Sequence, residues 1–376
     1  MGVIGAGIGG ASAAYEFEMA EDLHRAGESQ AAGQYKLIND PAAARKEYIW
    51  GIVNLCLAGV DALLAGAEVV KIGRIVNLFS TTNDGLRVIS KMDNLDQAVR
   101  IFGKLDDIED GAAFIRKLES AGDDAVEAMM RTVATIDDDM LGNAIVAINR
   151  FDDIDVASDV IANYGNNNDF IRILGSVNDK GFEALSRADD WDSIARMIRN
   201  SENPDNLIQY IDEADYIIEG GTKGSWNRVL NGGLEPDSNY FVNGRYIYHT
   251  DETGRVSKVS GELHLNSADR NIYQQQRAVG VKDGITGQDD GGHLIASMFD
   301  GPGEQINYVP QSAVQNRAGG DWYDLEQTWK KALGNNQKVE VDIQMVYSEA
   351  SKRPDGFIVN YSVDGGQPIS RRITNN

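Results

Sequence analysis

A histidine, an amide and a carboxylate follow one another in the last third of the chain. They are His293, Asn316 and Glu326. A neutral imidazole can deprotonate water. Magnesium keeps several of its own waters and needs only one or two protein oxygens, so an asparagine carbonyl can be a direct ligand and a glutamate can steady the metal-bound waters. A base beside a hard cation suits hydrolysis of a phosphodiester, and that is the chemistry these residue types predict.

The setting of His293 leaves a structural interpretation open. Apolar Leu294, Ile295 and Ala296 follow it, and a histidine in such a run is more often a satisfied structural residue than a base. The preceding pair Gly291-Gly292 favours catalysis, because glycine has no Cβ and lets backbone, and hence substrate, pass close to the imidazole.

Motifs around these residues resemble those of a known family. The chain reads Asp290-Gly291-Gly292-His293, then Asn307-Tyr308-Val309-Pro310-Gln311, then Asn316, then Leu325-Glu326. This order resembles the DNA/RNA non-specific endonucleases of the ββα-metal (His-Me finger) class, whose signature is Asp-Arg-Gly-His. It is most similar to the Asp-Gly-Gly-His branch at the C-termini of bacterial polymorphic toxins. Further matches, among them Arg270-Asn271 and Arg353-Pro354, extend the resemblance over residues 238–376.

The resemblance implies roles for individual residues. His293 becomes the general base and Asn316 the ligand of Mg²⁺, with Mn²⁺ as a possible substitute. Glu326 becomes a second metal residue that helps the ion and its water shell, and Asp290 is the acidic residue of the signature.

The family also has an arginine near the leaving phosphate. The signature position that holds this arginine is Gly291 here, so the cationic role falls to another residue. Arg277 and Arg317 are the nearest candidates by sequence.

The implied activity is magnesium-dependent cleavage of both DNA and RNA, with little base preference. The implied context is a secreted or injected antibacterial or anti-host effector that acts in the cytoplasm of a target cell. Expected partners are the nucleic acid, a cognate immunity protein and a secretion or injection apparatus. An alternative from another class is that the upstream helices are the functional part, as a structural, interaction or delivery module, and that the nuclease is weak or inactive.

The charge of the chain limits how it binds nucleic acid. The net charge is −23, and residues 231–376 carry 14 basic against 19 acidic side chains. Acidic surface repels phosphate, so the upstream part is not expected to bind substrate. We expect binding in a local groove built from Arg270, Arg277, Arg317, Lys330 and Lys331, with a metal ion supplying further positive charge.

Two features near the N-terminus allow other functions. Gly5-x-Gly7-x-x-Gly10 matches the dinucleotide-binding fingerprint, but the strand before it and the acidic residue after it are missing. The apolar stretch Tyr48 to Val70 approaches the length of a membrane span, yet Asp61 lies inside it, which favours a buried helix. Cys56 is the single cysteine, so an intrachain disulfide is impossible, and no basic signal-peptide start is present.

The predicted fold class is α+β, with an N-terminal all-α array followed by a C-terminal ββα-metal domain that has an antiparallel sheet. Residues 1–90 form a glycine-rich start and an apolar helical region, 91–220 an acidic array of short helices, 221–237 a linker and 238–376 the endonuclease domain. In the array, clusters such as Asp152-Asp153 and Asp189-Asp190 are predicted to start helices, since Asp and Asn are good N-caps. Calcium binding by these clusters lacks the required ligand spacing.

Asn243-Gly244 predicts a tight hairpin, and 339–346 and 357–363 predict strands. Leu325, Trp329 and Leu333 predict a helix that begins at Asp321 and stops at Gly334.

Overall fold

The computed structural model describes residues 101, 108–188, 190–201 and 204–376. The glycine fingerprint, the apolar stretch, Cys56 and the predicted region 1–90 lie outside these ranges. The chain divides into two compact units, Met1–Ser176 and Val177–Asn376. Within the described ranges, no helix combines the length and apolarity that crossing a membrane requires.

The described part of the first unit consists of short amphipathic helices, each of which buries one apolar face. They are α1 (Ile108–Ser120), α2 (Asp123–Ala134), α3 (Leu141–Arg150), α4 (Ile154–Tyr164) and α5 (Asn168–Ser176). The Asp153 side chain accepts from the backbone N–H of Asp155 and caps α4. Helix α2 instead begins after Gly122 without a side-chain cap, and its acidic pair lies in the first turn, where it favours the positive helix end.

The second unit opens with three more helices, α6 (Asp179–Arg187), α7 (Trp191–Arg199) and α8 (Pro204–Glu213). Asn178 and Asp190 cap α6 and α7 through side-chain oxygens, as the capping prediction requires. Helices α6 and α8 pack against each other, and α8 also contacts the sheet. These helices therefore belong with the sheet, although the sequence placed them in the acidic array.

A seven-stranded sheet forms the centre of the second unit. Its strands are β1 (Tyr216–Ile218), β2 (Asn239–Val242), β3 (Tyr246–Thr250), β4 (Val256–Glu262), β7 (Val339–Val346), β8 (Gly356–Val363) and β9 (Ile369–Thr374), in the order β1-β2-β3-β4-β7-β8-β9. All neighbours are antiparallel except β1 and β2. Asn243 (φ 57°) and Gly244 (φ 64°) join β2 to β3 with positive φ at both positions, which confirms the predicted hairpin turn.

A separate two-stranded ribbon carries the motif residues. It consists of β5 (Asp289–His293) and β6 (Tyr308–Ser312), and a 3₁₀ turn, Gln305–Asn307, leads into β6. Three helices surround the ribbon, namely α9 (Ile272–Val281), α10 (Ala313–Asn316) and α11 (Asp321–Gly334). Trp322 and Trp329 of α11 are each 1% exposed and pack against the sheet residues Phe357 and Tyr361, so both are core residues, as predicted. The α+β class is confirmed.

Most of the segment predicted as a linker, residues 221–237, is exposed, but individual contacts tie it to the second unit. The carboxylate of Glu304 is fully buried and accepts from the backbone N–H groups of Gly221 (2.7 Å) and Asn227 (3.0 Å). Leu230 is also fully buried, and its carbonyl accepts from the N–H of Ile306. The linker boundaries stay a prediction, and Glu304 and Leu230 hold parts of the segment against the domain.

Candidate active site

His293 ends strand β5, directly opposite Tyr308 on β6. Its side chain is 8% exposed, and its ring lies 4.6 Å from that of Tyr308, centroid to centroid. The Nε2 atom is buried without a hydrogen-bond partner. Burial, and then the charge of Arg270, lower the pKa of His293 to about 3. The imidazole is therefore neutral at physiological pH, and its Nε2 is enclosed without a hydrogen-bond partner among the described residues.

The two glycines before His293 make room for protein rather than for substrate. A Cβ at position 291 would lie 1.8 Å from the carbonyl oxygen of Gln275 in α9, and a Cβ at 292 would lie 1.9 Å from Oε1 of Gln311. Any side chain at Gly291 would push α9 away from the ribbon. In this structure the backbone of α9 occupies the space that a side chain at position 291 would need.

Asn316 is the last residue of α10, a short helix that contacts both ribbon strands and α11. Its Nδ2 donates to Asp290 Oδ2 at 3.2 Å. Its Oδ1 accepts no hydrogen bond in the part of the chain that the structure describes. The amide is therefore oriented by Asp290, and its oxygen is left for a cation.

Asp290 and Arg317 form a bidentate ion pair, with Nε and Nη2 of the arginine 2.9 and 2.8 Å from the two carboxylate oxygens. The hydrogen bonds from Arg317, opposed by burial and supported by Asn316, lower the pKa of Asp290. Asp290 is thus an ionised anchor for Asn316. Arg317 already has a carboxylate partner, which makes it a poorer candidate for binding phosphate.

Glu326 lies one turn into α11 and is partly buried. Burial raises its pKa to about 7, while the indole N–H of Trp322 and the charge of Arg270 oppose that rise. The indole Nε1 forms no hydrogen bond of normal geometry, so its effect is that of a nearby dipole. Among the described residues Glu326 has no ion-pair partner, and such a carboxylate gains stability from a cation.

Arg270 is the basic residue whose charge acts on both His293 and Glu326. It precedes Asn271, the N-cap of α9, and it has no carboxylate partner within the described ranges. The sequence marked it only as a groove residue. Its pairing with Asn271 in the family resemblance was a usable signal, but its position beside the imidazole depends on how α9 packs.

Arg277 lies one to two turns further along α9, where Nη1 donates to Asn231 O and Gln274 Oε1, both at 3.3 Å. It does not contribute to the pKa shift of either His293 or Glu326. The structure thus places His293, Asp290 and Asn316 at the ribbon, links Glu326 to His293 through the charge of Arg270, and leaves Arg277 outside their immediate electrostatic environment.

Buried polar contacts hold the ribbon in place. Asn307 uses its Oδ1 and Nδ2 to bind Tyr248, Ile295 and Pro302, so the Asn-x-x-Pro-Gln motif fixes the backbone that follows His293. Asp289 and Arg353 form a second bidentate pair at 2.7 and 2.8 Å. Asn375 accepts from Ser312 N–H and Gln315 Nε2 and donates to Pro310 O, which ties the end of β6 and α10 to the C-terminal strand.

The donor set fits a hard divalent cation. The amide oxygen of Asn316 accepts no hydrogen bond from the described residues. The carboxylate of Glu326 is partly buried and has no ion-pair partner among them. The described residues contain no cluster of three or more His, Cys, Asp or Glu side chains that could hold a metal. Two oxygen ligands and several waters are the coordination that magnesium prefers in proteins.

Comparison with known proteins identifies this region. Three curated relatives are named type VII secretion system protein EssD, from Staphylococcus aureus strains USA300, NCTC 8325 / PS 47 and Newman. Each is 36% identical over 176 residues, which is 45% of this chain and 28% of the relative. The chain therefore spans less than a third of the length of these relatives. The family model described as DNA/RNA non-specific endonuclease matches residues 236–365. This match identifies residues 236–365 as a domain of the DNA/RNA non-specific endonuclease family, a hydrolase family that generally depends on a divalent metal.

Proposed function

We propose that this protein is a magnesium-dependent endonuclease that hydrolyses both DNA and RNA, with His293 as general base. The observation that carries the proposal is the imidazole itself, which is buried, neutral and unpartnered at Nε2, and which shares the charge of Arg270 with Glu326. His249 also has a buried Nε2 without a hydrogen-bond partner among the described residues, so what distinguishes His293 is its place on the motif ribbon and the charge of Arg270, which also acts on Glu326.

In this proposal the neutral imidazole of His293 accepts a proton from the attacking water. A pKa of about 3 belongs to the free protein, where burial and Arg270 both oppose a second positive charge. A bound phosphate brings negative charge next to the ring, and negative charge favours the imidazolium and raises the pKa toward the range where a base is effective. Substrate binding thus activates the base.

Asn316 Oδ1 and the Glu326 carboxylate are the groups that would hold the metal ion, and Asp290 keeps the asparagine amide oriented. The ion supplies positive charge against the charge that builds up on the phosphate. Glu326, with its pKa raised to about 7 by burial, gives up its proton more readily when a cation is near. Mn²⁺ has similar ligand preferences and is expected to substitute.

The test of the activity is digestion of supercoiled plasmid and of single-stranded RNA by the full chain at low salt. We expect cutting of both substrates with Mg²⁺ or Mn²⁺ and none with EDTA. Cutting that persists in EDTA would contradict the metal requirement. Intact substrates at saturating metal would instead favour the alternative in which the helices are the functional part.

Arg270 is proposed as the cation that stabilises the phosphate in place of the missing signature arginine. Replacing it with glutamine is expected to lower kcat by about 10²-fold, because a charge aimed at the reacting group is worth several kcal/mol. Arg372→Gln is the matched control, because Arg372 is exposed on β9 and its replacement removes the same charge. Equal activities of the two variants in a plasmid assay would remove Arg270 from the mechanism.

The biological role proposed is a bacterial toxin effector that is secreted or injected and acts in the cytoplasm of a target cell. The similarity to relatives named as type VII secretion system proteins supports export by a system of that kind. A producing cell would then need an immunity protein that covers the active groove. Co-expression provides the test, since growth inhibition by the chain alone should depend on His293.

A further inference from the structure

A pocket of about 330 Å³ beside α9 contains four basic side chains and no carboxylate. The basic residues are Arg255, Arg277, Lys282 and Lys352, and the rest of the lining is amide, glycine, hydroxyl and apolar. This composition is unusual in a chain with 58 acidic and 35 basic residues. A basic pocket on an acidic protein is a candidate site for an anion.

Only one of the four basic groups is neutralised by an acid. Arg255 pairs with Asp251 at 2.7 Å and lies 4.5 Å from the centre of the Tyr347 ring. Arg277 donates only to neutral oxygens. Lys352 has no ion pair within the described part of the chain, and Asp283 binds its backbone N–H without lining the pocket.

The remaining positive groups lie close together. Lys282 Nζ donates to the carbonyls of Gln305 and Tyr308, both at 2.6 Å. Burial, followed by the charges of Arg277 and Lys352, lowers the pKa of Lys282 to about 7. Like charges so near to one another repel unless an anion separates them. The pocket lining therefore carries an excess of positive charge.

The pocket is connected to the active site along α9. Arg270 lies by His293, and Arg277 lies seven residues further on, a separation on the order of 10 Å along a helix. That distance corresponds to about three nucleotides of one strand. Tyr273, one helical turn before Arg277, is 70% exposed and offers an aromatic face for a base between the two arginines.

We propose that this pocket binds a backbone phosphate of the nucleic-acid substrate, about three nucleotides from the bond that is cleaved. The inference rests on the proposed nuclease function and extends it from the reacting phosphate to a second, remote contact. Arg277 and Lys352 supply the charge, and the neutral backbone around Gly232 and Gly233 lets the strand approach. The pocket explains how a protein of net charge −23 holds a polyanion.

The test measures binding separately from cutting. The full chain with His293→Ala is titrated in EDTA against fluorescein-labelled single strands of two and eight nucleotides, and anisotropy is followed at several salt concentrations. Adding Arg277→Gln or Lys352→Gln should weaken binding of the octanucleotide by about tenfold and reduce the salt dependence by about 0.7 in slope. Binding of the dinucleotide, which is too short to reach the pocket, should not change. Arg372→Gln is the control.

Three results would overturn the proposal. One is equal octanucleotide affinity with and without Arg277 and Lys352, and another is no octanucleotide binding at low salt. The third is inorganic phosphate competing as strongly as the octanucleotide, since the pocket would then be a site for free phosphate. Failure of the nuclease function itself has a different signature, in which the wild type binds the octanucleotide through the pocket but cuts nothing.

Discussion

Replacing His293 with alanine is expected to lower kcat for plasmid and RNA cleavage by about 10²- to 10⁴-fold, the contribution of a positioned general base. The reason is the position of His293 at the end of β5, where the charge of Arg270 acts on it and where it is the proposed acceptor of the water proton. The substitution removes a side chain that is 8% exposed, so some loss of stability will accompany the loss of activity. Initial rates should be compared at saturating Mg²⁺ and well below the unfolding midpoint.

His249→Gln is the matched control for this measurement. His249 is partly buried on β3, and its Nδ1 lies 2.7 Å from Asn239 Oδ1. A glutamine there should leave kcat unchanged. If His293→Ala keeps more than a tenth of the wild-type rate while folding normally, another group is the base.

Replacing Arg353 with methionine is expected to destabilise the second unit by about 3–5 kcal/mol, the usual result of removing one partner of a buried ion pair. The Asp289 side chain is 0% exposed and would keep its charge without the two guanidinium bonds. The bond from Arg353 to the carbonyl of Asn375 would also be lost. Urea unfolding followed by tryptophan fluorescence measures the change.

The double variant with Asp289→Asn separates the pair from other effects of the substitution. Removing both charges should cost less than removing Arg353 alone, because no buried charge is left unpaired. A double variant that is less stable than the single one would mean that Arg353 acts mainly through Asn375.

The same pair predicts a dependence on acid. Burial raises the pKa of Asp289, but the hydrogen bonds from Arg353 and from the N–H of Ile285 outweigh it, so the pKa lies below its ordinary value. A lowered carboxyl pKa means that the stabilisation is complete above about pH 4 and is lost as the pH falls through the folded-state value. Arg353→Met should therefore unfold with a weaker dependence on pH below 4 than the wild type.

Local signals in the sequence predicted much of the C-terminal fold. Asn243 and Gly244 have the positive φ values that their hairpin turn requires. Strand β7 has the predicted bounds because every second residue of it is buried in the core. Helix α11 ends at Gly334, as expected from its periodicity. These features depend on residues within one or two turns of each other, which a sequence displays directly.

Non-local contacts are the part that the sequence did not predict. The position of Arg270 depends on α9 packing against Gly291, and that packing follows from a steric fit between Gly291 and Gln275. Asn375 supports α10 from 60 residues away. The residue types of His293, Asn316 and Glu326 predicted a site. The charge of Arg270 acts on His293 and Glu326, and its position depends on the packing of α9, which no local pattern reveals.

The buried carboxylate of Glu304 affects how the nuclease can be cut out of the chain. A fragment that starts at Ser238 lacks the N–H groups of Gly221 and Asn227, so Glu304 Oε1 would lose the hydrogen bonds from both while remaining enclosed. It would also lack Leu230 and the edge strand β1. Removal of residues 221–237 should therefore destabilise the domain although most of them are exposed, and a soluble, active fragment should be sought from Val177 onward.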